Sequence, residues 1–134
     1  MTRLEETCKR LYNEFDYNCA ETVLHAADEV YGLGISEDGF KLIGTFGGGC
    51  GAGHLCGAIA AGAAVIGRLR IETVAHACDV GEVAKGYINK CIAEMGSTMC
   101  AYLKPRYFNE SERCLPTILL AARILDEVVS GLEK

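Results

Sequence analysis

Residues 47–67 read GGGCGAGHLCGAIAAGAAVIG, a glycine-rich loop running into a stretch of small residues, with no charge anywhere in it. Glycines at 47, 48, 49, 51 and 53 open backbone angles closed to other residues and let main-chain N–H groups approach whatever lies against the loop. Cys56 falls at or near the start of the helix that follows. Beyond it, the spacings Gly57 to Ala61 and Ala58 to Gly62 to Ile66 give narrow faces that another helix or a cofactor can approach closely.

The chain has 134 residues, half of them hydrophobic. That suits one domain, residues 1–134, able to bury a core without disulfides. A net charge of -5 with no basic stripe argues against nucleic acid, since nothing replaces counterions along phosphates. The amino-terminal MTRLEETCKR lacks the apolar run of a secretory signal, so a cytoplasmic protein is expected. The uncharged run from Leu42 to Gly67 is long enough for a bilayer, but nine of its residues are glycine and one is histidine. It is expected to be a loop and a buried helix, not a membrane span.

Helical periodicity continues on both sides. Thr2 with Glu5 forms a capping box for a helix over 2–15, with Leu4, Cys8, Leu11, Tyr12 and Phe15 on one face. Asn18 with Glu21 opens a second, with Ala20, Val23, Leu24, Ala27 and Tyr31 buried, and Gly32 and Gly34 stop it. Ser36 caps a short third helix carrying Phe40 and Ile43. After the Cys56 helix, a long amphipathic segment places Val74, Cys78, Tyr87, Cys91, Ile92 and Met95 near one face, weakened by Gly81 and Gly86 and closed by Gly96. Ser97 caps a short turn containing Cys100, Lys104 to Arg113 reads as polar loop, and Pro116 opens a last helix with Ile118, Ala122, Leu125 and Val129 inward. The expected fold is all-α: a compact bundle of five or six helices with the glycine-rich loop before a small-residue central helix.

Eight cysteines stand in this chain without a single CxxC pair, which leaves zinc ribbons, thioredoxin-type dithiols and ferredoxin runs without support. Four of them, Cys19, Cys56, Cys100 and Cys114, fall at helix beginnings. A helix start offers unpaired N–H groups and about half a positive charge, which lowers a thiol's pKa and stabilises a metal-bound thiolate. Cys8, Cys78 and Cys91 occupy helical apolar positions and read as small core residues. Cys50, in the loop, reads as a tolerated small residue, with a fifth sulfur or a resolving thiol as alternatives. His54 and His76 each stand two residues before a cysteine; both, with His25, are read as surface or satisfied side chains, and the aromatic residues as packing.

The set NCAETVL at Cys19, FGGGCGAGHLCGAIAAG around Cys56, GSTMC ending at Cys100 and RCLPTILLAARILDEVV from Cys114 resembles the C-GCAxxG-C-C family of "putative redox-active proteins", defined by four invariant cysteines and a CGAxxG motif. The match covers nearly the whole chain. One departure is Ala61 where the motif has its second glycine, with Gly62 next. The resemblance implies a redox or metal-binding role. Members are often encoded beside oxidoreductases or transporters, and a related module in split-Soret cytochromes is associated with an iron–sulfur centre.

Three readings follow. In the favoured one, Cys19, Cys56, Cys100 and Cys114 ligate an iron–sulfur cluster of unspecified type, with Gly48, Gly49 and Gly57 beside the cofactor, for electron transfer to a redox partner protein or oxidoreductase. That makes an electron-transfer or metal-binding protein a better expectation than a stand-alone enzyme. The second is a metal-free thiol–disulfide protein or sensor in which an activated Cys56 is resolved by Cys50 or Cys19. The third is a structural zinc site of four cysteines. The small-residue faces suit contact between subunits as well as within one, so a homo-oligomer is an open alternative.

Overall fold

A computed structural model describes residues 1–132, and among these the chain forms seven α-helices: α1 (Arg3–Glu14), α2 (Cys19–Tyr31), α3 (Glu37–Ile43), α4 (Gly57–Arg70), α5 (Val80–Met95), α6 (Cys100–Tyr107) and α7 (Leu115–Leu132). No strand is present among the described residues. Both expected capping boxes form: Thr2 Oγ1 accepts from Glu5 N–H, and Asn18 Oδ1 accepts from Glu21 N–H at 3.0 Å, with each glutamate side chain returning to the cap N–H. Gly32 (φ 64°) and Gly96 (φ 93°) end α2 and α5 in the left-handed conformation, where glycine carries no Cβ penalty.

α4 is the centre. It packs against α2, α5 and α7, while α1 closes over α2 and α7. Its small residues make this contact close: Gly57, Ala58, Ala60, Ala61 and Gly62 are all buried, with Ile59 the one large side chain among them. The approach is closest at Gly62, where a Cβ would land on the Tyr87 ring and hydroxyl. Tyr87 is wholly buried, and its hydroxyl donates to Ala121 C=O at 3.2 Å. The glycine next to Ala61 therefore supplies the narrow face, and the departure from the motif leaves the packing closed.

Three sequence expectations are corrected. Among the described residues the bundle has seven helices, not five or six, because 100–107 is helical although the polar composition of 104–113 suggests a loop. Pro105 lies inside α6; an interior proline costs roughly 3 kcal/mol, but Leu103, 1 % exposed, anchors the turn with a burial of comparable size, about 2 kcal/mol. The amphipathic segment does not begin at Val74: residues 71–79 form an excursion with a 3₁₀ turn at Ala75–Ala77, leaving Val74 62 % exposed and Cys78 half-buried outside any α-helix. The Arg70 guanidinium closes this excursion with two hydrogen bonds to Asp79, at 3.0 and 2.6 Å. Finally, α7 starts at Leu115, one residue before Pro116. Cys8 and Cys91 are fully buried, as expected of core positions.

Glycines in α4 and α5 differ in what they do, and thermal unfolding separates them. Gly62→Ala forces its methyl into Tyr87 and is expected to lower stability by about 1–3 kcal/mol. At Gly86, in the interior of α5, a Cβ meets nothing within 4 Å. Gly86→Ala should raise stability by about 0.5–1 kcal/mol.

Candidate functional site

Each of the four cysteines sits where a helix begins. Cys19 is the first residue of α2 and Cys100 the first of α6. Cys56 is the N-cap of α4, and Cys114, whose C=O accepts from Ile118 N–H at 3.0 Å, precedes α7. The glycine loop brings the first two starts together. Its chain turns left-handed through Gly48, Gly49, Cys50 and Gly51, φ 62–69°, and closes with His54 N–H donating to Gly49 C=O. Only glycine adopts this conformation freely; Cys50 does so as an exposed exception. Asn18 fixes the loop to α2, donating from Nδ2 to Gly44 C=O at 2.8 Å. A Cβ on Gly57 would stand 2.7 Å from Cys19 Sγ and 2.8 Å from Phe46 O, so glycine is required where α4 starts against that sulfur.

A short antiparallel pairing adds the third start. Cys56 N–H donates to Thr98 C=O at 2.7 Å and Cys100 N–H to His54 C=O at 2.6 Å, on either side of the Leu55–Met99 bridge. The fourth comes through Tyr12 of α1, whose hydroxyl accepts from Cys114 N–H at 3.3 Å across 102 residues of sequence. Together Cys19, Cys56, Cys100 and Cys114 line one cavity of about 50 Å³ with Gly48, Gly57, Leu103, Lys104 and Thr117.

The electrostatics reverse one expectation. Burial pushes the Cys56 thiol up to about 12, against the N–H groups of Ile59 and Ala58, which favour the thiolate. Burial also raises Cys19, opposed by the amides of Gly48, Ala20 and Ala58, while the neighbouring Cys114 adds to the rise. Cys114 is raised by burial too, opposed by Lys104, the Tyr12 hydroxyl and Arg113. Helix starts do stabilise the anion, as the sequence implied, but loss of water outweighs them. Burial thus favours the protonated form of Cys19, Cys56 and Cys114, and a metal ion would bind them only by displacing those protons. Among the described residues, no group of three or more His, Cys, Asp or Glu side chains is arranged as a ready site for a metal ion.

Of the cofactor-side glycines expected, Gly48 and Gly57 line the cavity. Gly49 instead packs against His54 backbone and the Cys100 Cβ, and so holds the loop to α6. No histidine lines the cavity: His54 and His76 are exposed, and His25 is stacked between Tyr17 and Phe40, ring centroids 4.3 and 3.7 Å away. Sequence reasoning missed Tyr12, Leu103, Lys104 and Thr117. Tyr12 lies on the apolar stripe of α1 and reads as core, which it also is at 5 % exposure; nothing in its spacing signals a hydroxyl aimed at Cys114. Lys104 was hidden by the loop reading of its segment.

The fold and the cavity define a helical protein whose four thiols converge from separate helix starts. Residues 17–128 match the family described as "Putative redox-active protein (C_GCAxxG_C_C)", and the chain belongs to that family. No curated protein and no solved structure matches the chain. No helix among the described residues is long and apolar enough to cross a membrane.

Accessibility and burial give an order of thiol reactivity. Alkylation of the metal-free protein with iodoacetamide at about pH 8, where a thiol raised to about 12 is thiolate in roughly one molecule in ten thousand, should label exposed Cys50 far ahead of Cys56. Peptide mass mapping reads this directly. Equal labelling of the two would contradict the burial described.

Proposed function

We propose that the four-cysteine cavity is a redox centre holding an iron–sulfur cluster through Cys19, Cys56, Cys100 and Cys114, and that the protein passes electrons to or from a partner oxidoreductase. The observation that carries this reading is the gathering of four thiols, from four helix starts, around one cavity. Four thiolates are the donor set such clusters use. The amides of Gly48, Ala20, Ala58 and Ile59 directed at Cys19 and Cys56 suit sulfurs that carry negative charge, and such hydrogen bonds tune a cluster's potential. Lys104 and Arg113, which favour the Cys114 thiolate, offset part of that charge. A cluster bound here would supply one-electron transfer. The chain's own residues would hold it, shield it behind α4 and α6, and set its charge environment.

A second reading, thiol–disulfide exchange, is favoured by the lack of a ready metal-ion group among the described residues. In it two of these thiols join as a disulfide, giving two protons and two electrons to an oxidant disulfide, which leaves as two thiols. The high pKa of Cys56 counts against its role as the attacking thiolate, and half-buried Cys100 is the better placed sulfur.

Metal and sulfide analysis of anaerobically purified protein tests the proposal. Iron with acid-labile sulfide is expected, and serine at Cys19, Cys56, Cys100 or Cys114 should each remove most of both. Serine at Cys8, Cys78 or Cys91 should not. Colourless protein with one zinc would replace the cluster by a zinc site, and metal-free protein that changes by two thiols on oxidation would establish the second reading.

A further inference from the structure

The four-cysteine cavity is roofed by a wider depression. An outer groove of about 620 Å³ is lined by Gly48, Gly51, Gly53, Cys100, Ala101, Lys104, Pro105 and Phe108. It shares Gly48, Cys100 and Lys104 with the inner cavity, so whatever sits in it lies directly over the sulfurs. One wall is glycine backbone, and a Cβ at Gly48 or Gly51 would meet nothing within 4 Å. The other wall, from α6 and its end, is Pro105 and Phe108, the latter 37 % exposed. Most of these residues are exposed, which makes the groove a contact face more than a pocket that encloses a small ligand.

Lys104 is the charged residue that lines the groove, and Arg113 stands beside Cys114 of the inner cavity. Elsewhere Arg10, Lys41, Arg70, Lys90 and Arg123 are paired with carboxylates, whereas Arg3, Lys9, Arg68 and Lys85 form no salt bridge among the described residues. Lys104 and Arg113 are held on aromatic faces: Lys104 Nζ lies 5.3 Å from the Phe108 centroid, and Arg113 Cζ 4.6 Å from that of Tyr12. Neither forms a salt bridge among the described residues, and Arg106 likewise lies over the Tyr102 and Tyr107 rings. A ring face orients a cation without cancelling its charge. The opposing charges in this segment are Glu110 and Glu112, the latter hydrogen-bonded to Asn109, and Lys104, Arg106 and Arg113 outnumber them by one. A chain of net charge -5 thus carries a small excess of cations in the segment beside its candidate redox centre. Pro105 and Phe108 give the groove its apolar part.

We infer that the groove over the four-cysteine cavity is the docking surface for an acidic protein partner, which sets carboxylates against Lys104 and Arg113 and an apolar centre against Phe108 and the glycine wall. The inference rests on the reading of the cavity as a redox centre, and it names the kind of partner that centre exchanges electrons with. Charge pairing at the edge speeds and orients encounter, while the short path through Cys100 and Gly48 places the partner over the sulfurs.

The test is titration of the ¹⁵N-labelled full chain with two probe proteins, a small acidic ferredoxin and a basic cytochrome c. Net charge alone favours the basic probe. The docking surface predicts instead that at about 0.02 M salt the ferredoxin shifts or broadens the amides of Gly48, Gly51, Gly53, Ala101, Lys104 and Phe108, and that the response fades by about 0.3 M salt. The double variant Lys104→Glu with Arg113→Glu, both exposed positions, should weaken that binding roughly tenfold or more. If the variant does not fold, the salt dependence and the two-probe comparison on the unaltered chain still decide. Unmoved groove amides with ferredoxin, occupation of the same amides by cytochrome c, or an unchanged affinity in the folded variant overturns the inference. Citrate alone binding there as tightly as ferredoxin also overturns it, by making the face a small-anion site. Iron and sulfide measured on the same samples report separately on the redox reading, because docking to this face needs no cluster.

Discussion

Gly57 has no room for a side chain, because the Cys19 sulfur and the Phe46 carbonyl already fill the space in which one would stand. That exclusion sets the distance between the starts of α2 and α4, and much else follows from it. A helix can begin this close to another only if the loop before it turns back sharply, which the left-handed run from Gly48 to Gly51 does. It can run on through the middle of the bundle only if most of its own side chains are small, as all but Ile59 are from Gly57 to Gly62. Loop composition and helix composition are thus two consequences of one short contact.

The convergence also decides between opposing electrostatic effects. Helix starts and aimed amides favour thiolates, whereas the apolar surroundings that the small residues create remove the water that would stabilise them. For Cys19, Cys56 and Cys114 the second effect wins. Amide N–H groups turned toward Cys19 and Cys56, and Lys104 and Arg113 beside Cys114, favour the anionic sulfurs but do not outweigh the loss of water. Lys104 and Arg113 extend the same logic outward, where water keeps their charge inexpensive and aromatic faces keep it in place.

Most helices could be read from the sequence because their signals are local. Capping boxes at Thr2 and Asn18, stop glycines at 32 and 96, and the inward stripe of the last helix each depend on residues a turn or two apart. The four cysteines were legible for the same reason, since each announces its own helix start. What could not be read depends on distant partners. Leu103 makes α6 a helix only because a core exists for it to enter, and Arg70 breaks the expected segment at Val74 only because Asp79 comes within its reach. The Tyr12 hydroxyl is the extreme case, its role fixed by a residue at the other end of the chain.

That last contact bears on how the protein is made. Cys19, Cys56 and Cys100 leave the ribosome before Cys114 and the whole of α7, against which α1, α4 and α5 all pack. A nascent chain lacking this final segment would carry an open ring of three sulfurs, with the α4 face uncovered and Tyr12 without its amide partner. Closure of the four-sulfur cavity therefore waits for Cys114 and α7, and a polypeptide stalled or terminated before them would leave its thiols open to oxidation and its apolar α4 face open to aggregation.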